Sequence, residues 1–295
     1  MKKCIFEGCA TALVTPMNTD GSVNYKGLAE LVDSQIKGGV DALVICGTTG
    51  ESATLSGEEH IEVIKTAVKA ADRRVPIIAG TGSNDTEFAL QISKEALAVG
   101  ADALLMVTPY YNKTSQRGLI KHYTYIADNV DAPIILYNVP SRTGVNIKPE
   151  TYFELSKHKN IVAAKEANGD ISALMKTVAL CGDNLTVYSG NDDQIVPIMS
   201  IGGKGVISVL SNVIPKETHD ITAACLAGDF KKGAELAVKY LNLANALFMD
   251  VNPIPVKEAM NLMGMNVGEC RLPLVSMDEK QIETLKGELA KLNLL

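Results

Sequence analysis

Short apolar runs alternate with longer stretches of helical period through most of the chain. The runs cover residues 8–16, 42–47, 75–80, 103–109, 133–139, 161–165, 185–189 and 205–210, each short enough for a buried strand. Between them, residues 25–37, 57–71, 86–99, 116–129 and 171–180 carry apolar side chains at i, i+3, i+4 spacing with polar residues elsewhere, the pattern of amphipathic helices. Several of these stretches stop at glycine (Gly38-Gly39, Gly100, Gly182, Gly202-Gly203), while Asn84-Asp85 and Asp170 stand where helix caps are expected. Alternating strands and helices imply right-handed βαβ units and a parallel sheet. Eight such repeats match a closed (β/α)8 barrel, or TIM barrel, better than an open doubly wound sheet. The open sheet usually carries a glycine-rich phosphate turn after its first strand, and residues 10–16 have none.

From about Ala227 onward the strand signal ends. Residues 230–249 and 277–292 read as amphipathic helices, and a third is expected near 256–263, after the helix-breaking Pro253 and Pro255. The expected organisation is a catalytic barrel over residues 1–226 and a C-terminal helical region over 227–295, packed on the barrel and available for an oligomer interface.

Composition narrows the function. Net charge is −6, with 28 basic against 34 acidic residues and no basic run, which argues against nucleic acid and anionic membranes as partners. No apolar stretch reaches the roughly 18 residues of a membrane span. The first residues meet Glu7 and Gly8 too early for a signal-peptide core. Six scattered cysteines without a CxxC pair fit a reduced, cytoplasmic protein.

Barrel enzymes place their chemistry at the C-terminal strand ends. There the chain has Gly47-Thr48-Thr49-Gly50-Glu51-Ser52, Thr108-Pro109-Tyr110-Tyr111-Asn112, Tyr137-Asn138-Val139-Pro140-Ser141-Arg142, Lys165-Glu166-Ala167 and Ser189-Gly190-Asn191-Asp192-Asp193. Lys165 closes an apolar run. A lysine so placed either snorkels to solvent or, buried and partly neutral, captures ketones and aldehydes as Schiff bases. The neighbouring strand ends favour the second: an arginine suits a carboxylate, threonine hydroxyls and backbone N–H groups suit other oxygens, and lysine suits a carbonyl carbon. The glycines flanking Thr48-Thr49 suggest a tight turn that exposes backbone donors. Tyr137 alternates onto the same face as Ile135 and Val139, where its hydroxyl could move protons. Metal catalysis is disfavoured: His60, His122, His158 and His219 avoid strand ends, and neither HxH nor HExxH occurs. Asp192-Asp193 reads as the first turn of a helix that continues through Ile198. No GxSxG elbow and no GxxxxGK[ST] loop occurs either.

Taken in order, these segments resemble the dihydrodipicolinate synthase family over the whole chain. Further shared segments are Ala12-Leu13-Val14-Thr15-Pro16, Ala79-Gly80-Thr81-Gly82, Gly205-Val206-Ile207-Ser208-Val209 and Asn252-Pro253-Ile254-Pro255-Val256-Lys257. The resemblance implies a metal-independent class I aldolase with no cofactor beyond the covalent Schiff base of pyruvate on Lys165. It implies condensation of pyruvate with L-aspartate 4-semialdehyde on the diaminopimelate route to lysine. By position, Lys165 matches the Schiff-base lysine and Tyr137 the proton-shuttling tyrosine. Thr48 and Tyr111 match its relay partners, with Tyr111 crossing a dimer interface. Thr49 matches the ligand of the pyruvate carboxylate, Arg142 that of the semialdehyde carboxylate, and Gly190 and the Ile207 carbonyl match lesser contacts. A homotetramer, built as a dimer of dimers, is the family's common assembly.

One departure concerns feedback. In relatives inhibited by lysine, a histidine and a glutamate bind the effector; here those positions hold Gly57 and Phe88, while Ser52, His60, Asn84 and Tyr110 still match. The expectation is an enzyme nearly insensitive to lysine. The nearest alternative is an N-acetylneuraminate lyase or 2-keto-3-deoxy sugar acid aldolase on the same scaffold; the arginine following Tyr137 argues against it.

Overall fold

Every parallel strand in this chain is buried on both faces, and closure into a barrel is how eight of them avoid a free edge. The computed structural model describes residues 2 and 4–295. Its elements run β1 (Gly8–Ala12), α1 (Tyr25–Lys37), β2 (Ala42–Ile45), α2 (Gly57–Ala71), β3 (Ile77–Gly80), α3 (Thr86–Ala98), β4 (Ala103–Val107), α4 (Gln116–Asp128), β5 (Ile134–Asn138), α5 (Pro140–Thr143), α6 (Pro149–Leu155), β6 (Ile161–Glu166), α7 (Ile171–Cys181), β7 (Thr186–Ser189), α8 (Ile195–Ser200), β8 (Gly205–Ser208), α9 (Pro215–Leu226), α10 (Phe230–Ala246), α11 (Ile254–Leu262) and α12 (Glu279–Lys291). The strands pair in sequence order, all parallel, and β8 closes on β1. This is the (β/α)8 TIM barrel, followed by C-terminal helices.

The helices form where apolar spacing and capping agree. Asn24, Asp85 and Asp170 each accept a backbone N–H of the first turn they precede, and Ser56 with Glu59 forms a capping box at α2. Alternation along the strands sorts side chains into an inner apolar body and outer ones under the helices. The inner one, including Ala10, Ala12, Ala42, Val44, Ile135, Tyr137, Val139, Ala163 and Ile207, fills the barrel; small residues leave room where strands converge. Beneath the site the filling ends in a stack of Phe6 on Tyr188, centroids 4.2 Å apart. The larger outer body joins the strands to their covering helices.

Two expectations need correction. The helix expected near 256 begins at Ile254, because Pro255 sits in the first turn, where a missing N–H costs nothing. Asp192-Asp193 does not open a regular α-helix: residues 192–194 form a single 3-10 turn, and α8 begins at Ile195. The Asp192 carboxylate is drawn inward instead, accepting the backbone N–H groups of Val209 and Leu210.

The C-terminal helices are anchored at the active end of the barrel. On α11, Lys257 is buried and donates to the Glu51 carboxylate at 2.8 Å and to the carbonyls of Thr15 and Glu269. Arg271 grips Glu59 through both terminal nitrogens at 2.7 and 2.6 Å, and its backbone N–H donates to Glu51 at 2.9 Å.

Candidate active site

Tyr137 and Lys165 are cross-strand partners at the ends of β5 and β6. Lys165 is 6% exposed, and its Nζ lies 4.3 Å from the centroid of the Tyr137 ring. Burial brings the lysine down to about 8; Asp192 pulls it up and Arg142 pushes it further down. At that value roughly a tenth of the amines are neutral at pH 7, a usable nucleophile. The Tyr137 hydroxyl is pushed up from its ordinary range by burial, and Arg142 and the neighbouring Thr48 oppose that shift. A phenol held protonated beside an amine that loses its proton readily can donate and take back one proton.

Gly190 lies against the lysine stem. A Cβ there would stand 2.8 Å from Ala167 Cβ and 3.2 Å from Lys165 Cε, so only glycine leaves the lysine its place. Ile207 is wholly buried in the barrel filling.

The turn after β2 departs from its expected construction. Its left-handed residues are Cys46 and Glu51, at φ 55 and 56, and neither flanking glycine has positive φ. Gly50 sits in tight space: a Cβ would lie 3.1 Å from both the Leu13 carbonyl oxygen and the Cys46 nitrogen, so the backbone would have to give by a few tenths of an ångström. The strain at Glu51 is held by its buried pair with Lys257. Thr49 is buried and accepts a hydrogen bond from Asn252.

A cavity of about 520 Å³ is lined by Thr48, Val139, Arg142 and Asn252, and also by Ser52, Gly57, His60, Phe88 and Tyr110. Thr48 and Arg142 therefore share one cavity with most of the positions expected for an effector. Asn84 lines a separate surface groove of about 810 Å³ instead. The His60 ring is engaged, with Nε2 2.8 Å from the Gly80 carbonyl. A Cβ on Gly57 would meet nothing within 4 Å, and Phe88 is half exposed. Tyr111 stands 91% exposed in the left-handed region, away from Tyr137 in its own chain. Among the described residues no cluster of three His, Cys, Asp or Glu could hold a metal ion, and no helix is long and apolar enough to cross a membrane.

Three residues that the sequence reading quotes without a role prove to be buried at the site. Glu166, next to Lys165 but facing outward, is buried and raised to about 7 by burial; Asn138, Tyr152 and the Asn168 N–H all donate to it. Asn252 bridges the turn and Arg142 from the C-terminal region. Lys257 holds Glu51 from 206 positions away. Only the buried polar character of Glu166 was open to a one-dimensional signal, as a carboxylate inside an apolar run; the other two depend on long-range contacts.

A closed parallel barrel with a buried, partly neutral amine at its C-terminal mouth defines a lyase-type barrel. A sequence model of the Dihydrodipicolinate synthetase family matches residues 5–292, and the chain belongs to that family. A 4-hydroxy-tetrahydrodipicolinate synthase of Acetivibrio thermocellus is 52% identical over 295 residues, the full length of both chains. Among solved structures, a chloride-inhibited dihydrodipicolinate synthase from Acinetobacter baumannii complexed with pyruvate superposes with TM-score 0.97 at 43% identity, covering 99% of this chain and 100% of that one. The enzyme from Cyanidioschyzon merolae with lysine bound gives 0.96 at 37% identity, with the same coverage.

Proposed function

We propose that this chain condenses pyruvate with L-aspartate 4-semialdehyde to give 4-hydroxy-tetrahydrodipicolinate, using no metal and no cofactor beyond the imine of pyruvate on Lys165. The observation that carries the reading is Lys165 itself, buried beside Tyr137 and brought down to about 8. Neutral Lys165 attacks the ketone carbon of pyruvate, and loss of water leaves the imine. Tyr137, with Thr48 at its hydroxyl, moves the protons of that step and of methyl deprotonation to the enamine. The enamine carbon then attacks the aldehyde, and the amino group of the semialdehyde portion displaces Lys165 from the imine carbon, which closes the ring and frees the lysine amine. Thr49 holds the pyruvate carboxylate and Arg142, at the cavity mouth, that of the semialdehyde. Gly190 leaves room for the lysine stem, and the Ile207 carbonyl makes a lesser contact.

The exposed Tyr111 suits a residue that completes the relay in a second copy, within a cytoplasmic homotetramer built as a dimer of dimers. Residues 1–226 form the catalytic barrel and 227–295 the helical region that steadies it. Ser52, His60, Asn84 and Tyr110 are remnants of an effector site. With Gly57 offering no imidazole and Phe88 no carboxylate, lysine lacks a partner for its ammonium. The N-acetylneuraminate lyase alternative has no observation in its favour.

The test is turnover with both substrates, coupled to the following reductase, together with borohydride trapping of pyruvate. Turnover with a pyruvate adduct on Lys165 is expected; folded protein without either result would end the proposal.

A further inference from the structure

The two groups assigned to the substrate carboxylates, Thr49 and Arg142, come from different strand ends, yet one residue joins them. Asn252 donates its side-chain N–H to Thr49 Oγ1 at 3.0 Å, and its backbone carbonyl accepts from Arg142 Nη2 at 3.1 Å. It is 5% exposed and lines the cavity. It is also held from behind: five residues on, Lys257 is fixed to Glu51 and to two backbone carbonyls.

The direction of the first bond matters chemically. A threonine hydroxyl has one proton to give and lone pairs to receive. Because Asn252 donates into Oγ1, the Thr49 proton is left to point elsewhere, toward an acceptor. The arrangement has a cost: Asn252 Oδ1 is buried without a hydrogen-bond partner among the described residues, an expense that an apolar side chain of similar size would avoid. A position serving packing alone has no use for a half-satisfied amide.

We infer that Asn252 is a positioning residue for the keto-acid carboxylate, acting through Thr49 by holding its hydroxyl as a donor toward the substrate and setting the spacing between Thr49 and Arg142. The inference rests on the reading of Thr49 as a pyruvate ligand. Asn252 touches no reacting atom, so its loss weakens pyruvate binding more than it slows chemistry. Replacing the amide by a carboxylate reverses the bond: an aspartate accepts the Thr49 proton and turns the hydroxyl away from substrate.

The experiment is steady-state kinetics in pyruvate at saturating semialdehyde for the parent, N252A, N252D, T49V and the double variant N252A/T49V, each checked for folding by thermal melt. The isosteric N252D guards against loss of fold in N252A. Expected is a pyruvate KM about tenfold higher in N252A and higher still in N252D, with kcat falling less than about threefold, the size of a lost hydrogen bond to a charged group. In the T49V background, N252A adds less than about twofold, because the partner through which it acts is already gone. Pyruvate KM values within twofold of the parent in both Asn252 single variants would overturn the inference, as would a full N252A effect in the T49V background. A parent chain that neither turns over nor traps pyruvate would instead overturn the proposed function, and the inference with it.

Discussion

The Lys165 ammonium nitrogen sits 4.3 Å from the centre of the Tyr137 ring, and the two residues are direct partners across β5 and β6. The ring gives the charged form a weak cation–π partner, but desolvation outweighs it and leaves the amine at about 8. The same pairing puts the proposed nucleophile and proton carrier on adjacent rigid strands, so their distance depends on sheet register and on no loop.

Lys165→Ala should therefore fold and lose nearly all turnover, since no other amine is held at this place. Retention of more than a few per cent of activity, with melting unchanged, would mean that Lys165 is not the nucleophile.

The pH profile follows from the same residue. Turnover per pyruvate encounter should fall as pH drops below about 8, because the amine that must attack becomes protonated. A rate–pH profile flat from 6 to 9 would contradict this, those bounds being set about one unit or more either side of the group.

Glu166 makes a separate prediction about stability. Its folded value of about 7 lies above the ordinary 4.5, so between these values the folded state holds more protons than the unfolded one. Stability contributed by the protonated form is complete below about 4.5 and is lost as pH rises through about 7. The loss is on the order of 3 kcal/mol. Glu166→Gln cannot ionise, and thermal melts across this window should show a smaller decline than in the parent. Parallel melting curves for the two would refute the shift. His122 and His60, held below their ordinary range by burial, act with the opposite sign in the same window but alike in both proteins, so the difference between the two melts isolates Glu166.

Gly190→Ala should cost turnover at least about tenfold with the fold kept, because the new methyl presses on Lys165 Cε and Ala167. Activity within twofold of the parent would show that the lysine stem has slack.

Half-inhibition by lysine should require concentrations above the millimolar range. Phe88→Glu combined with Gly57→His, placed on open cavity surface, should lower that concentration. Sub-millimolar inhibition of the parent would show that the ammonium finds another partner.

The barrel was legible because parallel strands are buried on both faces, so each of the eight appears as a continuous apolar run. Lys165, Tyr137 and Arg142 were legible as polar residues closing such runs or just following them. The construction of the β2 turn was not. Glycines suggested its flexibility, while the left-handed backbone falls on Cys46 and Glu51, and Glu51 is held by a lysine that no local pattern connects to it. Asn252 was hidden for the same reason: its partners lie 203 and 110 positions away.

Those separations bear on how the chain comes into being. During synthesis all eight strands are made before Asn252 and Lys257. A nascent chain can therefore close its barrel around Lys165 while the β2 turn still lacks both clasps. The last contacts to form, spanning some of the longest loops in the molecule, are slow to close. Competence to seize a keto acid is thus acquired after the barrel itself, in a final step that belongs to the tail.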